Sequence, residues 1–413
     1  MNDVLNQPPQ VLQGREYTRN GMGPWRIVLV FNEAPIPDSP AGRWGHLLMR
    51  GLVSRGHLVS AVCLGSASQA SQMTTYLPRD QYDWTFVQRD KGRALSVMHK
   101  VRSWLRHFGD CLPDEFTQAV RRQVAEGCDI IHVDQLAAGW GALPYASRAV
   151  IFHLCIYRAD LALEQFTSWR RRLAIWRMLR AERYLCRRFA NHIAITDRVA
   201  EEVRKLAPAK RICVAPISVD FEGWPFISDA QRNHSEPRIS LFTNARWTPG
   251  ILAVRRLCGS IWPRILAAVP NAKLQLVGPG MRSLIEIIGS VENLEAHDYV
   301  EDIAPFWAQA GVLVYAPEVG TGIKTKLLEA MAYGVPIVTN AQGAEGLGFI
   351  HGEHAMMAED DEPLAKHATD LIRNPELQNH LRHSARHHLE TQFSAEAVLQ
   401  RFELCYASFL SGK

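Results

Sequence analysis

The densest chemical signal in the chain lies between Ala316 and Leu347, which read APEVGTGIKTKLLEAMAYGVPIVTNAQGAEGL. An apolar run ends at Pro317, Thr321 is placed to cap a helix, and Gly334 is placed to close it before the next apolar run. On that helix Ile323, Leu327 and Met331 fall four apart and predict the buried side, while Lys326 and Glu329 share another side. A lysine beside open amides at a helix N-terminus suits a diphosphate, because the amides and the helix dipole both favour an anion. A carboxylate one turn further in suits a vicinal diol, since each oxygen accepts one hydroxyl proton. A nucleotide carries both groups. The plainer alternative is a solvated ion pair worth a few tenths of a kcal/mol.

A second place for an anion follows the first apolar run, where Asn32-Glu33-Ala34-Pro35 leads through Ser39-Pro40-Ala41 to Gly42. A helix is predicted there, with Leu48, Leu52 and Val53 inward and Gly56 just past its end. A glycine at a helix mouth lets backbone amides approach a phosphate, although a plain strand-to-helix turn needs no more than this. The stretch is not Gly-x-Gly-x-x-Gly, so a dinucleotide oxidoreductase gains little. Metal chemistry has no motif. There is no Asp-x-Asp, Asp360-Asp361 falls in a turn-like stretch, and the eight cysteines are scattered with no Cys-x-x-Cys. They read as buried, reduced thiols.

Ten short apolar or β-branched runs must position these groups: Arg26 to Phe31, Ser60 to Leu64, Asp129 to Val133, Ala149 to His153, His192 to Thr196, Arg211 to Ala215, Arg238 to Thr243, Ala272 to Gly278, Gly311 to Ala316 and Val335 to Thr339. They are continuous rather than alternating, which suits parallel strands covered on both faces. Strand and helix in alternation mean a doubly wound α/β fold. The series breaks once, at FEGWPFISDAQRNHSEP, which is polar and has no period. The division expected is a flexible tail over 1–24, a first Rossmann-like domain over 25–221, a linker over 222–237 and a second such domain over 238–394. A cleft is expected between the domains. A final helix, 395–413, carries Val398, Phe402, Tyr406 and Leu410 at helical spacing and is expected to return to the first domain.

Composition fits a protein of this kind. Of 413 residues 47% are apolar and 21% charged, which excludes general disorder. Charges interrupt every apolar run before the ~20 residues that a spanning helix needs. The polar N-terminus has no signal-peptide core, so the expected location is the cytoplasm. A net charge of +4 is too mild to argue for nucleic acid.

The block around Glu329-Ala330-Met331-Ala332 with Gly334 and Pro336 resembles the donor-site signature of family 4 glycosyltransferases of the GT-B fold. Arg55-Gly56-His57, the run Ala149 to His153, Val214-Ala215-Pro216 up to Val219-Asp220, Trp262-Pro263-Arg264, Leu276-Val277-Gly278 and Tyr299-Val300-Glu301-Asp302 resemble the family in the same order. Closest is a branch with Gly-x-Gly-Ile-Lys-x-Lys before the Glu-Ala-Met-Ala. The resemblance implies transfer of a sugar from a nucleotide-diphosphate sugar to an acceptor hydroxyl, with retention and with neither metal nor cofactor. It implies catalytic roles for His153, Arg246 and Lys326. Donor contacts are implied for Gly42, Gly278, Val300, Thr321, Gly322, Ile323, Lys324 and Glu329.

The departures are informative. The family carries two glutamates eight positions apart, the first on the donor sugar and the second on the ribose. Here the second is Glu329 and the first is replaced by Thr321, with Glu318 as a substitute. Arg246 stands for the family's Gly-Arg, but Pro249-Gly250 occupies the place of the following lysine, leaving Lys326 or Lys324 to supply that charge. A nucleotide-sugar epimerase of the same fold and a non-catalytic nucleotide-sugar-binding or membrane-adaptor protein are the alternatives.

The acceptor is less legible, with a glycan, a lipid-linked sugar and a small molecule all open. Trp169 to Phe189 reads WRRRLAIWRMLRAERYLCRRF with eight arginines, Arg170 to Arg188, interleaved with Trp169, Leu173, Trp176, Leu179 and Leu185. Such a helix either docks on anionic lipid at the inner membrane face or packs one side on the core under a basic outer side. A weaker basic aromatic stretch runs from His99 to Phe108. His132, which ends an apolar run, reads as structural.

Overall fold

The computed structural model describes residues 23–89, 112–160, 168–221, 224–228 and 236–411. The tail up to residue 22, the basic stretch 99–108 and much of 222–237 lie outside the described residues. The chain divides into two compact units, one of Met1–Arg158, Gln165–Ser218 and Ala395–Lys413, the other of Ala159–Glu164 and Val219–Ser394.

The first unit is built on seven strands: β1 (Arg26–Phe31), β2 (Leu58–Gly65), β3 (Asp83–Gln88), β4 (Ile130–Asp134), β5 (Val150–His153), β6 (Asn191–Ala194) and β7 (Arg211–Val214). All pair in parallel, in the order β3-β2-β1-β4-β5-β6-β7. Strand order reverses between β1 and β4, where Ile27 faces Ile130 and Phe31 faces Asp134. Ile27, Val28, Leu29 and Val30 are all buried, as a sheet covered on both faces requires. The helices are α1 (Pro40–Ser54), α2 (Ala67–Tyr76), α3 (Asp114–Ala125) and α4 (Gln135–Ala142), then, after the single turn α5 (Tyr157–Asp160) whose last two residues belong to the second unit, α6 (Trp169–Arg188) and α7 (Asp197–Leu206). Ser39 caps α1, Pro40 opens it, and Gly56 follows its end with φ 92°.

The second unit repeats the plan. Its strands are β8 (Arg238–Phe242), β9 (Lys273–Val277), β10 (Leu294–His297), β11 (Val312–Tyr315), β12 (Ile337–Thr339) and β13 (Met356–Met357), in the order β10-β9-β8-β11-β12-β13. Here the reversal falls between β8 and β11. The helices are α8 (Thr248–Arg256), α9 (Trp262–Ala268), α10 (Met281–Ile288), α11 (Ala304–Gln309), α12 (Thr325–Tyr333), α13 (Asp361–Arg373) and α14 (Pro375–Gln392). A column of stacked rings, Phe242 on Trp307, Trp307 on Tyr333 and Tyr333 on Trp224, fills one side of this unit.

All ten predicted strands are present, and three more were not foreseen. β3, β10 and β13 each end a sheet. β3 and β10 are half exposed and carry polar residues, so they lack the continuous apolar run that marks most of the others, while β13 is only two residues long. Another expectation fails at α12. Thr321 does not cap it. The helix begins at Thr325 after Lys324, and no side chain caps it. Nor is its apolar side a stripe, for every residue from Leu327 to Tyr333 is buried. Gly334 does close it, with φ 68°.

The last helix, α15 (Ala395–Ser411), belongs to the first unit. It lies so close to α1 that a Cβ on Gly51 would come within 2.2 Å of Leu399. Phe402 packs on Trp44 and Phe152, and the Tyr406 hydroxyl is 2.9 Å from Nδ1 of His132. Arg55 donates to both carboxylate oxygens of Glu403, at 2.8 and 2.6 Å, while Nε2 of His57 lies 2.9 Å from Oε1. The Arg55-Gly56-His57 run is thus a docking point for α15, with His132 structural beside it. Of the seven described cysteines, all free, four are buried and three are half-buried.

Candidate active site

In a doubly wound sheet the loops at the carboxyl ends of the strands gather along one edge, and a crevice opens where strand order reverses. In the second unit the reversal lies between β8 and β11, so the loops after Phe242 and Tyr315 flank it. Glycines let these loops and the one after β9 close up. A Cβ on Gly278 would stand 1.9 Å from the Thr243 carbonyl oxygen, and one on Gly250 would stand 2.2 Å from that of Asn244. Gly278 therefore serves first to bring backbone against backbone.

Lys326, in the first turn of α12, spans this reversal. Its ammonium donates to Oγ1 of Thr243 at 2.9 Å and sits 4.0 Å from the centre of the Tyr315 ring. Burial pulls its pKa down to about 7, with Lys324 acting the same way and the Glu329 carboxylate opposing. Glu329 is itself buried. Arg246 is exposed on the loop after β8, its stem beside Gly280, where a Cβ would come within 2.8 Å of Arg246 Cγ. Val300 is half-buried on the loop leaving β10.

The turn before α12 differs from the open anion cradle expected of it. The Thr321 amide and hydroxyl both donate to Oδ1 of Asp160, at 2.6 and 2.7 Å. The Gly322 amide donates to Oε1 of Glu345 at 3.0 Å, and the Lys324 ammonium lies 3.5 Å from Oε2 of the same carboxylate. Gln342 bonds both Glu345 and the Gly320 carbonyl, and Asn340 holds the Pro317 carbonyl at 2.9 Å. The loop after β12 is thereby stitched over the loop after β11. Glu318 is exposed, whereas Ile323 is buried. The acids that meet this turn are Asp160, buried, and Glu345, half-buried, which sequence reasoning did not single out. Glu345 stands in the quoted AQGAEGL, but only the fold carries it back to Gly322.

Gly42 and His153 lie in the first unit. The Gly42 amide donates to Oγ of Ser39 at 2.9 Å, and a Cβ there would stand 2.2 Å from the Ile36 carbonyl oxygen. Its lack of a side chain serves the turn and the helix cap. His153, the last residue of β5, is buried, and burial followed by the neighbouring His192 holds its pKa well below the usual histidine range.

The reversal of the first sheet also brings together groups not foreseen. Glu33 follows β1 and Asp134 ends β4. Burial raises the Glu33 carboxyl and Asp134 raises it further, against hydrogen bonds from Gln135 and Ser39. Gln135 holds φ 69°, a left-handed conformation rare for a non-glycine residue. Both acids stand at strand ends in the sequence, which was the available signal. Among the described residues no three or more His, Cys, Asp or Glu side chains gather in a metal-binding arrangement, and no helix is long and apolar enough to cross a membrane.

On α6 the arginine-rich stretch divides by face. Ile175, Ala181, Glu182 and Leu185 are buried, and the Glu182 carboxylate accepts the amides of Tyr157 and Arg158 at 2.8 and 3.1 Å. Trp169 and Trp176 are 69% and 53% exposed.

Comparison with known proteins agrees with this architecture. Residues 41–222 match the profile described as Glycosyltransferase Family 4, and residues 239–374 match that described as Glycosyl transferases group 1. Among curated proteins, N-acetyl-alpha-D-glucosaminyl L-malate synthase of Bacillus anthracis is 29% identical over 148 residues, covering 34% of this chain and 38% of that protein. The chain thus aligns with well under half of that relative's length. Among solved structures, sucrose-phosphate synthase of Thermosynechococcus elongatus superposes with TM-score 0.66 at 15% identity, covering 94% of this chain and all of that one. HepE of Anabaena, in complex with UDP-glucose, superposes with TM-score 0.65 at 14% identity and the same coverage. The fold is GT-B, with two Rossmann-like domains on parallel sheets.

Proposed function

Because the chain belongs to the group 1, family 4 glycosyltransferases, we propose that it moves a sugar from a nucleotide-diphosphate sugar to an acceptor hydroxyl, with retention and without metal or cofactor. The observation that carries this reading is the Lys326 ammonium held over the strand-order reversal of the second unit, with Glu329 one turn further along α12. The cation suits the diphosphate and the carboxylate suits the ribose diol.

The barrier in such a transfer is departure of the diphosphate from an oxocarbenium-like carbon. Preorganised positive charge lowers it by meeting the negative charge as it grows on the leaving oxygen. Lys326 is tied to Thr243 and Tyr315 in the resting protein, so its reorganisation is small. Arg246, exposed beside Gly280, adds a second charge. No protein nucleophile is needed if the leaving phosphate oxygen takes the acceptor's proton. Thr321 cannot fill the first glutamate's acidic role; it is tied instead to the buried Asp160 carboxylate.

For the donor, the UDP-glucose bound by a structural neighbour makes UDP-sugars the first to try. For the acceptor, the malate in the name of the Bacillus anthracis relative suggests a small hydroxy acid. The exposed Trp169 and Trp176 among arginines of α6 suggest instead a lipid-linked acceptor at an anionic membrane surface on the cytoplasmic side.

A panel of UDP-, GDP-, ADP- and dTDP-sugars tests the reading. Thermal stabilisation and nucleoside diphosphate release are expected with one nucleotide series. Stabilisation without release, with L-malate, glycans and lipid-linked sugars all supplied, would make the protein a binder. Absence of both would end the proposal.

A further inference from the structure

Two histidines of the first unit form a proton-ordered pair. His153 ends β5 and His192 lies in the neighbouring β6. Both are buried, at 1% and 0% exposure, and their rings stack at 5.2 Å with 20° between planes. Nε2 of His153 lies 2.9 Å from Nδ1 of His192, and Nε2 of His192 lies 3.2 Å from the Phe189 carbonyl oxygen.

The carbonyl decides where the protons sit. It only accepts, so Nε2 of His192 must carry a hydrogen. Burial keeps His192 neutral, with a pKa of about 4. The Lys210 charge adds to this against the Phe189 bond. A neutral imidazole has one N–H, so Nδ1 of His192 is bare and can only accept. The shared proton therefore belongs to Nε2 of His153. Since His153 is also neutral, its Nδ1 is a bare lone pair, and that atom is buried with no hydrogen-bond partner among the described residues. Buried polar atoms are nearly always paired, so a lone acceptor at the carboxyl end of a parallel strand marks where a ligand donor belongs.

We propose that His192 is a positioning residue: through the Phe189 carbonyl it fixes His153 in the Nε2–H tautomer, so that Nδ1 of His153 accepts a hydroxyl of the sugar substrate. The role rests on the sugar-transfer reading above. The opposite tautomer would present an N–H there, and a sugar hydroxyl would then have to accept rather than donate its proton.

The test uses the full chain labelled with 15N-histidine and needs no ligand for its first part. Long-range 1H–15N spectra at neutral pH, assigned with His153→Gln, should show His153 protonated at Nε2 and bare at Nδ1. His192→Phe removes the acceptor and should leave His153 in mixed tautomers. With UDP-glucose and UDP-N-acetylglucosamine as probes, kcat/KM for UDP release should fall about tenfold in that variant, the size of one lost hydrogen bond to a ligand. His192→Asn, whose amide oxygen replaces Nδ1, should stay within about threefold of the parent, a rescue that a merely structural role does not give. A His153 protonated at Nδ1 in the parent, or full activity in a folded His192→Phe protein, overturns the proposal. A fixed tautomer in a protein that releases no UDP from any UDP-sugar sinks the transfer reading, and this role with it, while the relay stands. Mixed tautomers in an active enzyme sink the relay alone.

Discussion

The Glu345 carboxylate accepts the Gly322 amide at 3.0 Å and lies 3.5 Å from the Lys324 ammonium, so an internal anion already sits at the turn before α12. Two donors that would serve a diphosphate are engaged by the protein's own carboxylate. This fills the electrostatic need of a half-buried lysine in the resting state. It also sets up a competition that can be measured.

Replacing that carboxylate by an amide, Glu345→Gln, keeps the shape and an oxygen for Gly322 but removes the charge. Charge-assisted hydrogen bonds are about twice as strong as neutral ones, so affinity for free UDP should rise by about three- to tenfold. Calorimetric titration checks it. Unchanged or weaker UDP binding would mean that the diphosphate does not seat on this turn.

Glu329→Gln should weaken UDP binding by about 1–3 kcal/mol, as a lost hydrogen bond to a charged group does. The loss should vanish for a UDP analogue lacking both ribose hydroxyls. An equal loss with the analogue would place Glu329 away from the ribose.

Lys326 carries a pH signature. Its pKa of about 7 in the free protein lies below the ordinary lysine value, and a bound diphosphate raises it again. Binding therefore takes up a proton above about pH 7, and UDP affinity should fall as pH climbs from about 7 to 9. Lys326→Met should bind UDP weakly and flatten that slope. The same shift acts on folding with the opposite sense. The unfolded lysine holds its proton up to about pH 10, so Lys326 penalises the folded state below about pH 7 and the penalty eases as pH rises.

Arg246→Ala should lower kcat more than it raises KM, because charge on the leaving phosphate grows mainly in the transition state. Steady-state kinetics with the turned-over donor decide it. An unchanged kcat would remove Arg246 from leaving-group stabilisation.

The α15 anchor should set the acid limit of the first unit. Burial alone would raise the Glu403 carboxyl, but hydrogen bonds from Arg55 and His57 bring it down to about 2, below the 4.5 of an unperturbed glutamate. A depressed carboxylate stabilises fully above its unfolded pKa, so this contribution is lost as pH falls from about 4.5 to 2. Glu403→Gln leaves Arg55 partly unpaired in a buried place and should cost about 3 kcal/mol at neutral pH. Urea unfolding at pH 7 and pH 3 measures both. The difference between variant and parent should shrink at the lower pH.

Reading along the chain was enough for ten of the strands, their parallel character, the helix closed by Gly334 and the placing of Lys326 and Glu329 three apart on it. Each is written in local pattern: runs such as Ile27-Val28-Leu29-Val30 have no polar face to turn outward, and residues three apart on a helix are neighbours by geometry. β3 and β10 escaped because half-exposed edge pairing needs no apolar run, and β13 because two residues make no pattern. Glu345 on Gly322, Asp160 on Thr321, Glu33 beside Asp134 and the His153–His192 relay escaped for a different reason. Their partners are 23, 161, 101 and 39 residues apart. A hydrogen bond carries no trace in sequence spacing when strand order, not chain order, brings its ends together. Which polar groups are offered to a ligand, and which are already taken by the protein itself, was therefore decided only once the two sheets had formed.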